Sequence, residues 1–191
     1  MRWTFIRSVL AMALPALIPM PANAEVVTAT DTGFIVASEA VVPAGPMAVW
    51  EKLRTPALWW SPEHSWSGDA ANFYMDAQAG GCFCEKLPAT DKDGPRGSAL
   101  HALILFSRPG SLLRLSGAFG PLQGEALTDT LSIILKPADG GGTSLRFEYV
   151  VGGYARFPLS EIAPQVDAVM AQQHARLAAL FAPTESAKPA D

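Results

Sequence analysis

Three polar side chains share strand faces with apolar neighbours. In Cys82–Leu87, Glu85 falls on the two-residue period of Phe83 and Leu87; in Ser98–Ser107, His101 falls on that of Leu103 and Leu105. In Glu125–Pro137, Asp129 falls on that of Leu127, Leu131, Ile133 and Leu135. If these faces line a cavity, the three groups point into it. A carboxyl in apolar surroundings has a raised pKa and can act as a general acid or base; an imidazole beside it can shuttle protons. Glu85, His101 and Asp129 are therefore the candidate catalytic residues. A strand slipped by one residue would turn its side chain to solvent instead.

A second group of residues suits ligand contact. Trp59-Trp60-Ser61-Pro62-Glu63-His64-Ser65-Trp66 places three tryptophans and a histidine in a connecting segment. Such a loop can rim a pocket and stack on an aromatic ligand, with one tryptophan serving as core. Trp60, His64 and Trp66 are the loop's candidate ligand-binding residues; Phe83 and Leu103 join them from the strand faces. Gly152-Gly153 suits either a flexible gate with Tyr154 at its mouth or an ordinary turn.

Cys82 and Cys84 project from one strand face. Two thiols make half a metal site, and His64 or His101 would have to complete it. Inert thiols or a disulfide are the favoured readings, so no metal site is assigned. A disulfide requires a bulge, because an extended strand holds such Cα atoms near the limit of about 7 Å. His174 reads as a core-margin histidine. There is no G-x-S-x-G, P-loop, H-E-x-x-H or dinucleotide fingerprint, so serine nucleophiles, ATP and nicotinamide are disfavoured and no cofactor is expected.

Composition bounds what holds these residues. The chain has 191 residues, 14 Lys+Arg against 18 Asp+Glu, 49% apolar and 17% charged residues, and a formal net charge of -4. This excludes a disordered chain, and no nucleic-acid partner is expected of an acidic protein. Residues 1–24 combine Arg2 and Arg7, an apolar run from Val9 to Ile18, and Ala22-Asn23-Ala24. The pattern predicts a signal peptide cut before Glu25 and a periplasmic or secreted product. The run is too short to anchor, since a span needs about 20 apolar residues, so no stable membrane span is expected. Residues 25–32 read as a leader, 33–181 as one domain, and 182–191 as a disordered polar tail.

Strands are expected at 33–42, 71–79, 82–87, 98–107, 111–117, 125–137 and 143–152. Short helices are expected at 46–53 and 56–60, the second capped by Thr55. A long helix spans 159–181, capped by Ser160, with Ile162, Val166, Val169, Gln173, Leu177 and Leu180 on one stripe. The fold class is α+β: a curved antiparallel sheet of about seven strands in the order β-α-α-β6-α, with the last helix covering one face. A curved sheet wrapped on a helix tends to enclose a cavity.

Val42 to Trp50 (VPAGPMAVW), Leu58-Trp59-Trp60, Ala79-Gly80-Gly81, Pro109-Gly110-Ser111-Leu112-Leu113 and the turn from Leu135 to Thr143 carry a resemblance. In that order the chain resembles the START-like helix-grip superfamily (SRPBCC, birch-pollen-allergen-like), in particular its activator-of-Hsp-ATPase-homologue and polyketide-cyclase-like branch. The resemblance implies a deep apolar pocket between sheet and long helix. It also implies binding of lipids, hormones, polyketides or aromatic compounds, and in some members cyclisation or dehydration without a cofactor. Others assist a chaperone ATPase, a role that an exported chain would not share. The expected function is binding of a small hydrophobic or aromatic molecule. The alternative is a cofactor-independent lyase, cyclase or isomerase, and a third reading is partner binding through the outer sheet face. Nothing in the sequence specifies an oligomeric state.

Overall fold

Gly33–Val42 is rich in Val, Ile and Ala, and it forms a central strand rather than an edge. The computed structural model describes residues 23–182. Its strands are β1 (Asn23–Thr30), β2 (Gly33–Val42), β3 (Phe73–Met75), β4 (Cys82–Leu87), β5 (Gly97–Arg108), β6 (Leu112–Ser116), β7 (Ala126–Pro137) and β8 (Thr143–Tyr154). The helices are α1 (Pro46–Leu53) and α2 (Leu159–Ala179). All eight strands join one antiparallel sheet in the order β1-β2-β8-β7-β6-β5-β4-β3. The α+β class and the antiparallel sheet with its C-terminal helix are as the sequence predicts.

Among the described residues the strands number eight rather than about seven, because the expected leader supplies most of β1. β1 is an edge strand whose side chains from Thr28 to Thr30 are all exposed, so it carries no inside–outside alternation to read. The expected cleavage point before Glu25 falls inside β1; the rest of the expected signal peptide, residues 1–22, and tail residues 183–191 lie outside the described residues.

Other boundaries move for local reasons. The expected strand at 71–79 shrinks to β3, because Asp69 accepts the Ala71 N–H at 2.9 Å and starts a 3-10 turn over Ala70–Asn72. The expected second helix is one 3-10 turn, Pro56–Leu58, and Thr55 provides no side-chain cap; its hydroxyl donates back to the Glu51 carbonyl. Ser160 does not cap α2: Pro158 precedes the helix, and the Ser160 hydroxyl donates to Asp31 at 2.7 Å. Leu180 lies past the end of α2 and is exposed.

β8 sets the concave face. Leu145, Phe147, Tyr149 and Val151 alternate inward and are buried. Leu159, Ala163, Met170 and Leu177 of α2 are buried against the sheet; each fully buried leucine contributes about 1.5–3 kcal/mol. Ile162, Val166 and Val169 on the same helix are only half-buried. They face the space that sheet and helix leave unfilled.

β5 does not keep a single two-residue period. Phe83 pairs with Ala102 and Cys84 with Leu100, so His101 is an extra, unopposed residue: a β-bulge. A second irregularity between Ile104 and Phe106 leaves Leu105 unopposed against β6. The first bulge buries both His101 and Ala102 and sends Leu103 outward. Leu103 and Leu105, expected beside His101, are 46% and 50% exposed on the opposite face.

Candidate functional site

Sheet and α2 flank a half-open cavity of about 280 Å³. Its helical wall is Ile162, Gln165, Val166, Val169 and Met170; the loop after β6 adds Phe119 to Leu122. Tyr149 and His101 face it from the sheet, and Trp60 with residues Glu63 to Trp66 lines a further side.

The aromatic loop is held in place by α2. Gln173 accepts the Ser61 N–H at 2.7 Å and its amide nitrogen lies 3.0 Å from His64 Nδ1, while Arg176 donates to the Trp59 carbonyl at 2.8 Å. The Trp60 indole N–H donates to the His64 carbonyl at 3.0 Å. Trp59 is core, Trp60 is both core and cavity wall, and Trp66 is 55% exposed at the rim.

Glu85 and His101 meet. Glu85 is fully buried and accepts hydrogen bonds from the Trp66 N–H at 3.0 Å, the Ser67 N–H at 2.6 Å and His101 Nε2 at 2.9 Å. Burial pushes its carboxyl pKa up, but the hydrogen bonds from Ser67, the Trp66 backbone and His101 outweigh this and hold it below the ordinary value. Burial pushes His101 the other way and outweighs the pull of Glu85, so its pKa lies below the ordinary imidazole value. At neutral pH the pair is therefore carboxylate and neutral imidazole. A carboxylate only accepts, so Nε2 carries the imidazole hydrogen and Nδ1 keeps its lone pair.

Asp129 points inward, as the period predicts, but it does not join the pair or line the cavity. It accepts the Gly117 N–H at 2.6 Å, and burial pushes its pKa up against that bond. Gly117 is required there: a Cβ would meet the His101 carbonyl oxygen at 2.0 Å and Ala102 Cα at 2.4 Å. Tyr149 donates to the Gly117 carbonyl at 3.2 Å; burial, and then the charge of Asp129, push its phenol pKa up.

Several expected ligand contacts lie elsewhere. Phe83 is buried behind the wall, with its ring 5.2 Å from His101 and 5.0 Å from Trp60. Leu103 faces away because of the bulge at His101. Tyr154 is 72% exposed and lines no part of the cavity; Gly152 and Gly153 are strand residues paired with β7 rather than a gate. Tyr149, Phe119, Leu122, Met170 and Gln165 line the cavity without having been singled out from sequence. Only Met170 and Gln165 carried a usable signal, since both lie beside the apolar stripe of α2.

Cys82 and Cys84 form a disulfide with their Cα atoms 5.6 Å apart, beside the register shift that bulges the neighbouring strand. Their sulfurs are bonded to each other and are not offered to a metal. His174 is fully buried, 2.9 Å from the Leu145 carbonyl through Nε2 and edge-on to Phe147. Among the described residues no helix is long and apolar enough to cross a membrane.

No protein-family model matches the chain, and no curated protein matches its sequence. Solved structures do. The chain is similar to protein CV1439 from Chromobacterium violaceum (21% identity, TM-score 0.52, covering 78% of this chain and 98% of that one). It is similar to protein MLL2253 from Mesorhizobium loti (19% identity, TM-score 0.53, 79% and 98%). It is also similar to CalU16 from Micromonospora echinospora (14% identity, TM-score 0.55, 87% and 88%). At these identities the likeness is one of fold alone: an antiparallel sheet closed by a C-terminal helix, an arrangement that fits a helix-grip fold.

Proposed function

We propose that this protein binds a small hydrophobic or aromatic molecule in the cavity between sheet and α2. The observation that carries this is the 280 Å³ space walled by Trp60, Phe119, Leu122, Val166, Val169 and Met170. An apolar, largely pre-formed cavity with a few polar groups is the usual architecture of a small-molecule site. A thermal-shift and native-mass screen of hydrophobic and aromatic compounds tests it. A bound compound at 100 times its dissociation constant stabilises the fold by about 2.7 kcal/mol; no stabilisation by any compound overturns the reading.

A second reading is a cofactor-independent lyase, cyclase or isomerase acting on such a molecule. The Glu85–His101 pair, 2.9 Å apart on the cavity wall, favours it. Asp129 stands outside that pair. Export to an oxidising compartment fits both readings, supported by the signal-like pattern of residues 1–24 and by the Cys82–Cys84 disulfide. N-terminal sequencing of the protein from a periplasmic fraction should begin at Glu25; an N-terminus at Met1 would refute export.

A further inference from the structure

The cavity wall is mostly apolar, and its polar residues Glu63, His64, Ser65 and Gln165 are exposed or half-buried. Of the two buried polar residues there, Tyr149 donates to Gly117 and His101 keeps one lone pair without a partner. His101 Nε2 is committed to Glu85, which in turn is held by the backbone N–H groups of Trp66 and Ser67. Nδ1 makes no hydrogen bond among the described residues. Among the described residues the sealed, unpartnered side-chain atoms are Ser38 Oγ and His174 Nδ1, and His101 Nδ1 is not one of them. His101 is 3% exposed yet lines the cavity.

We propose that His101 Nδ1 is the polar anchor of the cavity and selects aromatic ligands bearing one donor hydrogen, of the phenol or enol O–H class. The inference rests on the binding reading above and adds the chemical class of ligand. The ring of the ligand lies among Trp60, Phe119 and the α2 side chains, and its O–H donates to Nδ1. The O–H bond stays intact, with the hydrogen shared between ligand oxygen and Nδ1. Glu85 fixes the imidazole tautomer: while it is a carboxylate it requires the hydrogen on Nε2, which keeps Nδ1 an acceptor. A fully buried carboxylate, two backbone donors and a bulge in β5 thereby serve to present one buried acceptor to the cavity. An ether or a plain hydrocarbon of the same shape strips water from that acceptor and returns nothing to it.

The test uses the full chain and three probes: 2-naphthol, naphthalene and 2-methoxynaphthalene, titrated by calorimetry at neutral pH. Naphthol should bind at least about tenfold more tightly than either donor-free probe, the cost of leaving a buried acceptor unpaired. His101→Leu should abolish that preference while retaining naphthalene binding. Because this variant removes a buried side chain and can fail to fold, a second measurement uses the unaltered protein labelled with nitrogen-15 in histidine. Naphthol, and not naphthalene, should move one unprotonated ring-nitrogen resonance upfield. Equal affinity for the three probes overturns the anchor and leaves the binding reading standing. Absence of binding by all three overturns the anchor, and together with an empty wider screen it overturns the binding reading as well. A naphthol preference that survives in folded His101→Leu, or an unmoved nitrogen signal, overturns the anchor.

Discussion

Glu85 is the residue whose removal should cost most for its size. The substitution Glu85→Ala leaves the Trp66 N–H, the Ser67 N–H and His101 Nε2–H without their acceptor, in a place where the carboxylate is fully buried. Each stranded donor costs about 1–3 kcal/mol, partly offset because the carboxylate no longer has to be dehydrated. The net should be about 3–5 kcal/mol, the range for removing one partner of a buried charged pair. In a domain of this size each kcal/mol moves the melting temperature by about 2–4 °C, so the midpoint should fall by about 10 °C. Urea unfolding followed by tryptophan fluorescence measures the free-energy loss, and thermal unfolding followed by circular dichroism measures the midpoint. The loss must also depend on pH with a defined sign. The Glu85 pKa is lowered from 4.5 in the folded state, so the unfolded chain takes up the proton first on acidification. The carboxylate's contribution is fully present above about pH 4.5 and disappears as pH falls through the folded pKa. The variant and the parent should therefore converge in acid. A loss below about 1 kcal/mol at neutral pH, outside the range for a stranded buried partner, refutes the reasoning, and so does a loss that is the same in acid.

Three further outcomes are expected. Both buried histidines, His101 and His174, have pKa values lowered by burial, so the unfolded chain binds their protons first; stability should be complete above pH 6.5 and fall as pH drops through the folded values, with both imidazoles titrating below 6.5 by NMR. Gly117→Ala should cost about 3 kcal/mol or prevent folding by driving a methyl group into the β5 backbone, whereas Gly45→Ala, with nothing within 4 Å, should leave the denaturation midpoint within about 0.5 kcal/mol. Mass measurement after alkylation without reductant should find neither cysteine modified, and Cys82→Ala/Cys84→Ala should cost about 1.5 kcal/mol by chemical denaturation, because the bridged loop is only three residues long.

Local pattern was sufficient where side-chain alternation and backbone pairing agree. Cys82–Leu87 is a strand over the predicted span with Phe83 and Glu85 facing inward, and Ala126–Pro137 turns Asp129 inward with Leu131, Ile133 and Leu135. The stripe of α2 was legible from its three- and four-residue steps, and from it the helix that must cover the sheet. The signature of one buried polar side chain on each of three strands also lay in the sequence. Periodicity ended at the bulge in β5. One extra residue at His101 reverses the faces up to the second irregularity, which moves Leu103 and Leu105 outside while His101 stays in. No window of residue types registers an unopposed residue, because its signal lies in the neighbouring strand.

The site itself was decided by distance in the chain. Glu85 and His101 are 16 residues apart, and Gln173 reaches Ser61 across 112 residues. The loop after β6 had no assigned structure, yet it supplies Phe119 and Leu122 to the cavity. Asp129 shows the same limit from the other side: it has the right residue type and the right face, but Gly117 satisfies it away from the cavity. Sequence alone determined the class of fold, the faces of the regular strands and the presence of titratable groups among apolar ones, because those properties repeat at short, fixed periods. Tertiary structure alone decided which of those groups meet, which open onto the cavity and which nitrogen of His101 is bound to Glu85, because each depends on contacts between distant segments.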